Sequence, residues 1–114
     1  MADMTTALES YTNNGNSRTY QTATHSILEP RLVIQKRKPA ATIDANAQDD
    51  ISVVFGSLDT DGNPLAAKIV FAVNIRRSPM ADSDTVTAAK ALFREIVASD
   101  NFDDVITGQK WVQT

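Results

Sequence analysis

The chain has 114 residues, eleven Lys and Arg against fourteen Asp and Glu, one His and no Cys. That length fits one domain whose own core is small. The absent Cys excludes disulfides and thiolate metal sites, and one His excludes paired-His zinc motifs, leaving His25 as the one available triad base. The net charge of −3 argues against nucleic acid only as a total, because the charges are sorted along the chain. Residues 18–38 carry Arg18, Arg31, Lys36, Arg37 and Lys38 against Glu29, residues 39–67 carry five acids and no base, and residues 68–77 carry Lys68, Arg76 and Arg77 and no acid.

In chain order, residues 1–6 lack the basic and apolar regions of a signal peptide, and no apolar run approaches the ~18 residues of a membrane span. A soluble intracellular domain is the expectation. Residues 6–11 and 18–24, rich in Thr and Tyr, flank the turn-forming run 11–17 with its Asn14-Gly15 pair, which predicts an N-terminal hairpin. A strand over 31–38 is closed by Pro39, and a second covers 50–58, with Ile51, Val53 and Phe55 on one side. After the turn 59–64 comes a long strand over 65–77, in which Ile69, Phe71, Val73 and Ile75 alternate with Lys68, Val70, Ala72, Asn74 and Arg76.

Beyond Pro79 the period changes. Val86, Ala89, Leu92, Phe93, Ile96 and Val97 make one helix face, with Asp82, Ser83 and Asp84 at its N-terminus. A shorter helix, capped by Asp100-Asn101, carries Phe102, Val105 and Ile106, ends at Gly108, and is followed by Trp111. Strands followed by helices predict an α+β fold, an antiparallel meander with two C-terminal helices. The domain divides into a hairpin region 1–27, a central sheet 28–78 and two helices 82–108. Two short helices are little cover for the apolar sheet face. A dimer whose helices lie across the partner's sheet solves this and pairs an open edge strand.

No catalytic constellation is visible. Asp59-x-Asp61-Gly62 resembles the start of a calcium loop, but an EF-hand needs Gly and Glu where Pro64 and Val70 stand, so a turn is the better reading. His25 has no partner nearby in sequence. Asp49-Asp50 and Asp103-Asp104 suit a strand start and a helix first turn. No Gly-rich phosphate loop exists, and no metal, cofactor or small-molecule substrate is expected. What remains is the polar face of the sheet. Alternation within each strand suggests that Arg31, Val33, Gln35 and Arg37 join Ser52, Val54, Lys68, Asn74 and Arg76 there, while Leu32 and Ile34 join the apolar face. Such a face can neutralise phosphates and contact bases, and a solvated sheet surface explains the same residues.

The order of elements, with Leu28–Gln35 by sequence, Ile51-Ser52-Val53-Val54-Phe55, the 59–64 loop, 67–75 and the closing stretch 82–106, resembles the coat proteins of single-stranded RNA bacteriophages, the leviviruses. The resemblance implies a non-enzymatic capsid subunit. Intertwined homodimers would form a ten-stranded sheet with helices outward and close into an icosahedral shell around genomic RNA, a virion protein assembled in the bacterial cytoplasm. It places RNA contact on Arg31, Val33, Gln35, Arg37, Ser52, Lys68, Asn74 and Arg76, with Val54, Val70 and Ala72 beside them. It makes Asp59, Thr60, Asp61, Gly62, Asn63 and Pro64 an inter-dimer loop, and Phe93, Ile96, Val97, Phe102, Ile106 and Trp111 a dimer interface. The closing strand lacks the family's base-stacking Tyr, and stacking is worth ~1–3 kcal/mol per base, so charge-driven rather than sequence-specific contact is implied. The alternative is a small dimeric α+β domain that binds RNA or protein without forming a shell.

Overall fold

The computed structural model describes residues 4–43 and 45–113. Residues 1–3 of the expected leader-free start, and Asp44 of the acidic segment, lie outside them. The chain forms two compact units, Met1–Pro79 and Met80–Thr114.

The first unit is one antiparallel sheet of five strands: β1 (Glu9–Asn14), β2 (Ser17–Gln21), β3 (Arg31–Lys38), β4 (Ala47–Phe55) and β5 (Ile69–Arg77), in the order β1-β2-β3-β4-β5. The hairpin is tighter than the composition of 11–17 suggests. Its strands run to Asn14 and Ser17, and Gly15 takes the positive φ of 65° that a two-residue turn asks of its first central residue. The pairing slips between Ser10 and Thr12, a bulge at Tyr11. Tyr11 meets the His25 ring edge-on, with centroids 5.4 Å apart.

His25 lies in the β2–β3 connection, and its Nδ1 accepts the Arg31 N–H at 3.0 Å. Its ring therefore holds the entry to β3. β4 begins three residues earlier than its alternation suggests and β5 four residues later, which leaves Lys68 just ahead of β5. The 59–64 turn is closed by Asp59. Its Oδ1 accepts the N–H of Asp61 and of Asn63, both at 2.9 Å, and its backbone bonds Gly62 and Asn63. Gly62 sits at φ 83°.

The register carries the largest departure from expectation. Cross-strand partners share a face. Arg31 pairs with Phe55, Val33 with Val53, Gln35 with Ile51 and Arg37 with Asp49; these in turn pair with Ile69, Phe71, Val73 and Ile75. The odd-numbered residues of β3 thus lie on the apolar face, and Leu32 and Ile34 lie on the opposite one. The physical cause is non-local. Gly56, the one buried residue among those described, donates its N–H to the Pro30 carbonyl at 2.8 Å. That clasp sets Arg31 against Phe55, and the Arg31 guanidinium lies 4.8 Å from the Phe55 ring centroid. The guanidinium's flat, weakly hydrated surface suits an aromatic neighbour, so Arg31 accepts an apolar row.

The second unit is a helix pair, α1 (Ser83–Ala98) and α2 (Asp100–Gly108). Asp82 caps α1, accepting from the Thr85 backbone N–H and from Thr85 Oγ1, each at 3.0 Å. Asp82→Ala should cost about 1 kcal/mol of stability by removing both bonds, and thermal unfolding followed by circular dichroism measures it. Ser99, rather than Asp100-Asn101, serves the junction. Its N–H closes α1 on the Ile96 carbonyl, and its Oγ accepts the Phe102 N–H at 3.2 Å to open α2. Gly108 is the last helical residue, and Gln109 takes the left-handed turn at φ 51°.

Candidate nucleic-acid interface

The two sheet faces differ in kind. The first, called the apolar face below, carries Tyr20, Val33, Ile51, Val53, Phe55, Ile69, Phe71, Val73 and Ile75. Four of the expected RNA-contact residues, Arg31, Val33, Gln35 and Arg37, stand here, so the expected single set is split between two faces. Arg18, Tyr20, Gln35 and Arg37, with Gly15 and Asn16, line a shallow cavity of about 110 Å³ at the hairpin end. Arg37 turns its guanidinium to Asn16 Oδ1 at 3.2 Å, and Arg31 lies 3.8 Å from the Glu29 carboxylate.

The other, polar face is built in rows. Ser17, Lys36, Asp50 and Asn74 form one row; Lys38, Gln48 and Arg76 form the next; Thr19, Ile34, Ser52 and Ala72 form a third; and Gln21, Leu32, Val54 and Val70 form a fourth. Ser52, Asn74 and Arg76 of the expected set are therefore brought together, with Val54, Val70 and Ala72 beside them. Lys36, Lys38 and Gln48 join them; a strand-by-strand reading misses the two lysines because it places β3 the wrong way round, and Gln48 because it starts β4 at residue 50. Lys68 precedes β5 and is outside the paired rows.

Asp50 is the centre of the polar rows. It accepts hydrogen bonds from Asn74 Nδ2 and, at 3.2 Å, from Gln48 Nε2. The Asn74 bond, then the Gln48 bond, hold its carboxyl below the ordinary carboxylate range against a desolvation penalty, helped by the Arg76 and Lys36 charges. The side chain is thus ionised at neutral pH. Among the described residues no cluster of three or more acidic or His side chains could hold a metal. The face can neutralise phosphates and offer amides and hydroxyls to bases and sugars.

The expected interface residues of the helices divide in two. Ile96 and Phe102 are half-buried with Val86 and Val105, whereas Phe93, Val97, Ile106 and Trp111 are exposed, Trp111 at 84%. No hydrophobic side chain among the described residues is buried, and Ile69, Phe71 and Ile75 of β5 are exposed as well.

No protein-family model and no curated protein sequence matches the chain. Solved structures do. The virus-like particle of Wenzhou levi-like virus 4 is similar over 97% of this chain and 82% of its own, with a TM-score of 0.77 and 9% identity. The virus-like particle of bacteriophage ESE020 is similar over 90% and 84%, with a TM-score of 0.71 and 16% identity. The bacteriophage EMS014 coat protein is similar over 83% and 68%, with a TM-score of 0.63 and 10% identity. At such identities what is shared is the fold: a five-stranded antiparallel meander followed by two helices.

Proposed function

We propose that this chain, which has the coat-protein fold of levi-like phages, is a capsid subunit of an RNA bacteriophage. The observation that carries the reading is the unburied apolar surface. Among the described residues not one hydrophobic side chain is buried, and the sheet ends on β5, a nine-residue edge strand with exposed Ile69, Phe71 and Ile75. Soluble monomers cover such edges and rarely expose so much contiguous apolar surface. A second copy supplies what is missing: β5 against β5 joins two five-stranded sheets, and the apolar helix residues Phe93, Val97, Ile106 and Trp111 meet apolar surface of the partner. Dimers then close an icosahedral shell, with the 59–64 turn at contacts between dimers, and the product is a virion protein assembled in the host cytoplasm. The role is structural and needs no catalytic group.

The polar face is the RNA-contact face in this reading. Both faces carry basic residues, but the apolar face must be covered and the polar one need not be. Arg31, Val33, Gln35 and Arg37 are thereby withdrawn from the RNA set, and Lys36, Lys38 and Gln48 enter it beside Ser52, Asn74 and Arg76. Purified protein should form particles containing nucleic acid, seen by electron microscopy and by the absorbance ratio at 260 and 280 nm. A fixed small oligomer at every concentration by light scattering supports the dimeric-domain alternative, and a monomer overturns both. Lys36→Ala with Arg76→Ala should lower packaged RNA and flatten the salt dependence of binding by about 1.4 in log–log slope, whereas Arg31→Ala should leave it unchanged. Equal losses from both variants would return Arg31 to the RNA face.

A further inference from the structure

Asp50 has a consequence for which bases the polar face accepts. An ionised carboxylate only accepts hydrogen bonds. With Asn74 Nδ2 on one oxygen and Gln48 Nε2 on the other, turning either amide over would break its bond and set its oxygen against the carboxylate. A solvated Asn or Gln offers a base a donor or an acceptor at will. These two are held with the nitrogen on Asp50 and the carbonyl oxygen turned away from it. Asn74 is exposed on β5, and Gln48 lies in the row of Lys38 and Arg76, so both oxygens stand among cations able to hold a phosphate backbone.

The base group complementary to a fixed carbonyl oxygen is an exocyclic amino group. Cytosine presents its N4 amino group where uracil presents the O4 carbonyl, and the two pyrimidines are otherwise alike in size. We infer that the polar face prefers cytosine to uracil in single-stranded RNA, with Asn74 and Gln48 contacting the base and Asp50 as their positioning residue. This rests on the RNA-contact reading above and adds a chemical selectivity to it.

The test is a competition. The full-length chain is refolded or assembled with an equimolar mixture of differently labelled oligocytidylate and oligouridylate of one length at fixed salt, and the bound ratio is measured. The expected ratio favours cytosine by about five- to tenfold, the lower end of what one good base-edge contact gives. Asp50→Asn keeps the shape but leaves one accepting oxygen and sets an NH2 where the other stood, so the two amides no longer both present a carbonyl oxygen and the ratio should fall toward one. Total bound RNA should not fall, since an acid has left a cationic face. Asn74→Ala with Gln48→Ala should also bring the ratio to about one, which keeps the test open if Asp50→Asn folds poorly. Equal binding of the two oligomers by the unaltered chain, or a preference that survives Asp50→Asn, overturns the selectivity and leaves RNA contact standing. No binding of either overturns both.

Discussion

Phe71→Asp is expected to abolish particle formation and to raise the dimer dissociation constant by at least about a hundredfold while the sheet still forms. Phe71 lies on the apolar face of edge strand β5 and is 44% exposed. In a monomer, a carboxylate at that exposure is tolerated. In the proposed dimer, the exposed part of each ring goes under cover, at about 25 cal/mol per Å² of apolar area, and each dimer contains two such rings. Putting an unpaired carboxylate there adds a desolvation cost of several kcal/mol per copy. Sedimentation velocity across a dilution series measures the association, and far-ultraviolet circular dichroism checks the fold. Unaltered particles from Phe71→Asp would remove β5 and the apolar face from the interface.

Gly56→Ala should destabilise the chain by about 1–3 kcal/mol, seen as a fall of several degrees in the unfolding midpoint. The effect is steric. A Cβ built at Gly56 meets Pro30 Cδ well inside van der Waals contact and lies 3.2 Å from Pro30 Cγ and 3.3 Å from Pro30 N. These atoms belong to a rigid ring, so the clash cannot be relieved by a side-chain rotation. Moving Pro30 away also strains the Gly56 N–H bond to its carbonyl, at 2.8 Å. Because that clasp sets the β3–β4 register, the variant should also sharpen protease sensitivity in the 22–30 connection. An Ala variant with the parent midpoint would mean that Pro30 and Gly56 are not so closely apposed in solution.

Much of this fold is legible in the sequence, because its signals are local. The period-two run of β5, the Gly15 turn and the three- and four-residue spacing of α1 each follow from a few neighbouring residues. Asp82 is the α1 cap its composition suggests, and the α2 cap lies one position before the expected Asp100, since Ser99 and Asp100 are both good capping types. The candidate site was less legible. Alternation states which residues of one strand share a face but is silent on how that strand's faces align with its neighbour's. On β3, Leu32 and Ile34 outnumber Val33, and that majority points the wrong way. The deciding contacts, Gly56 on Pro30 and Arg31 over Phe55, join residues more than twenty positions apart. Lys36 and Lys38 enter the candidate interface only once the register is known, and Gln48 once β4 is seen to begin at Ala47.

The meander also bears on how the chain folds. Each strand pairs with the one just before it in sequence, and none crosses over. The cost of closing each loop is therefore modest, and contacts of low sequence separation favour rapid folding. On the ribosome the hairpin can form first and template β3, then β4, then β5, in the order in which they emerge. β5, the edge strand placed in the proposed dimer, is the last to join, β1, the other edge, is the first, and the helices are made after the sheet. If β5 is the edge through which two copies pair, a growing chain makes that edge only after the other four strands are in place, which shortens the interval in which that edge can pair wrongly.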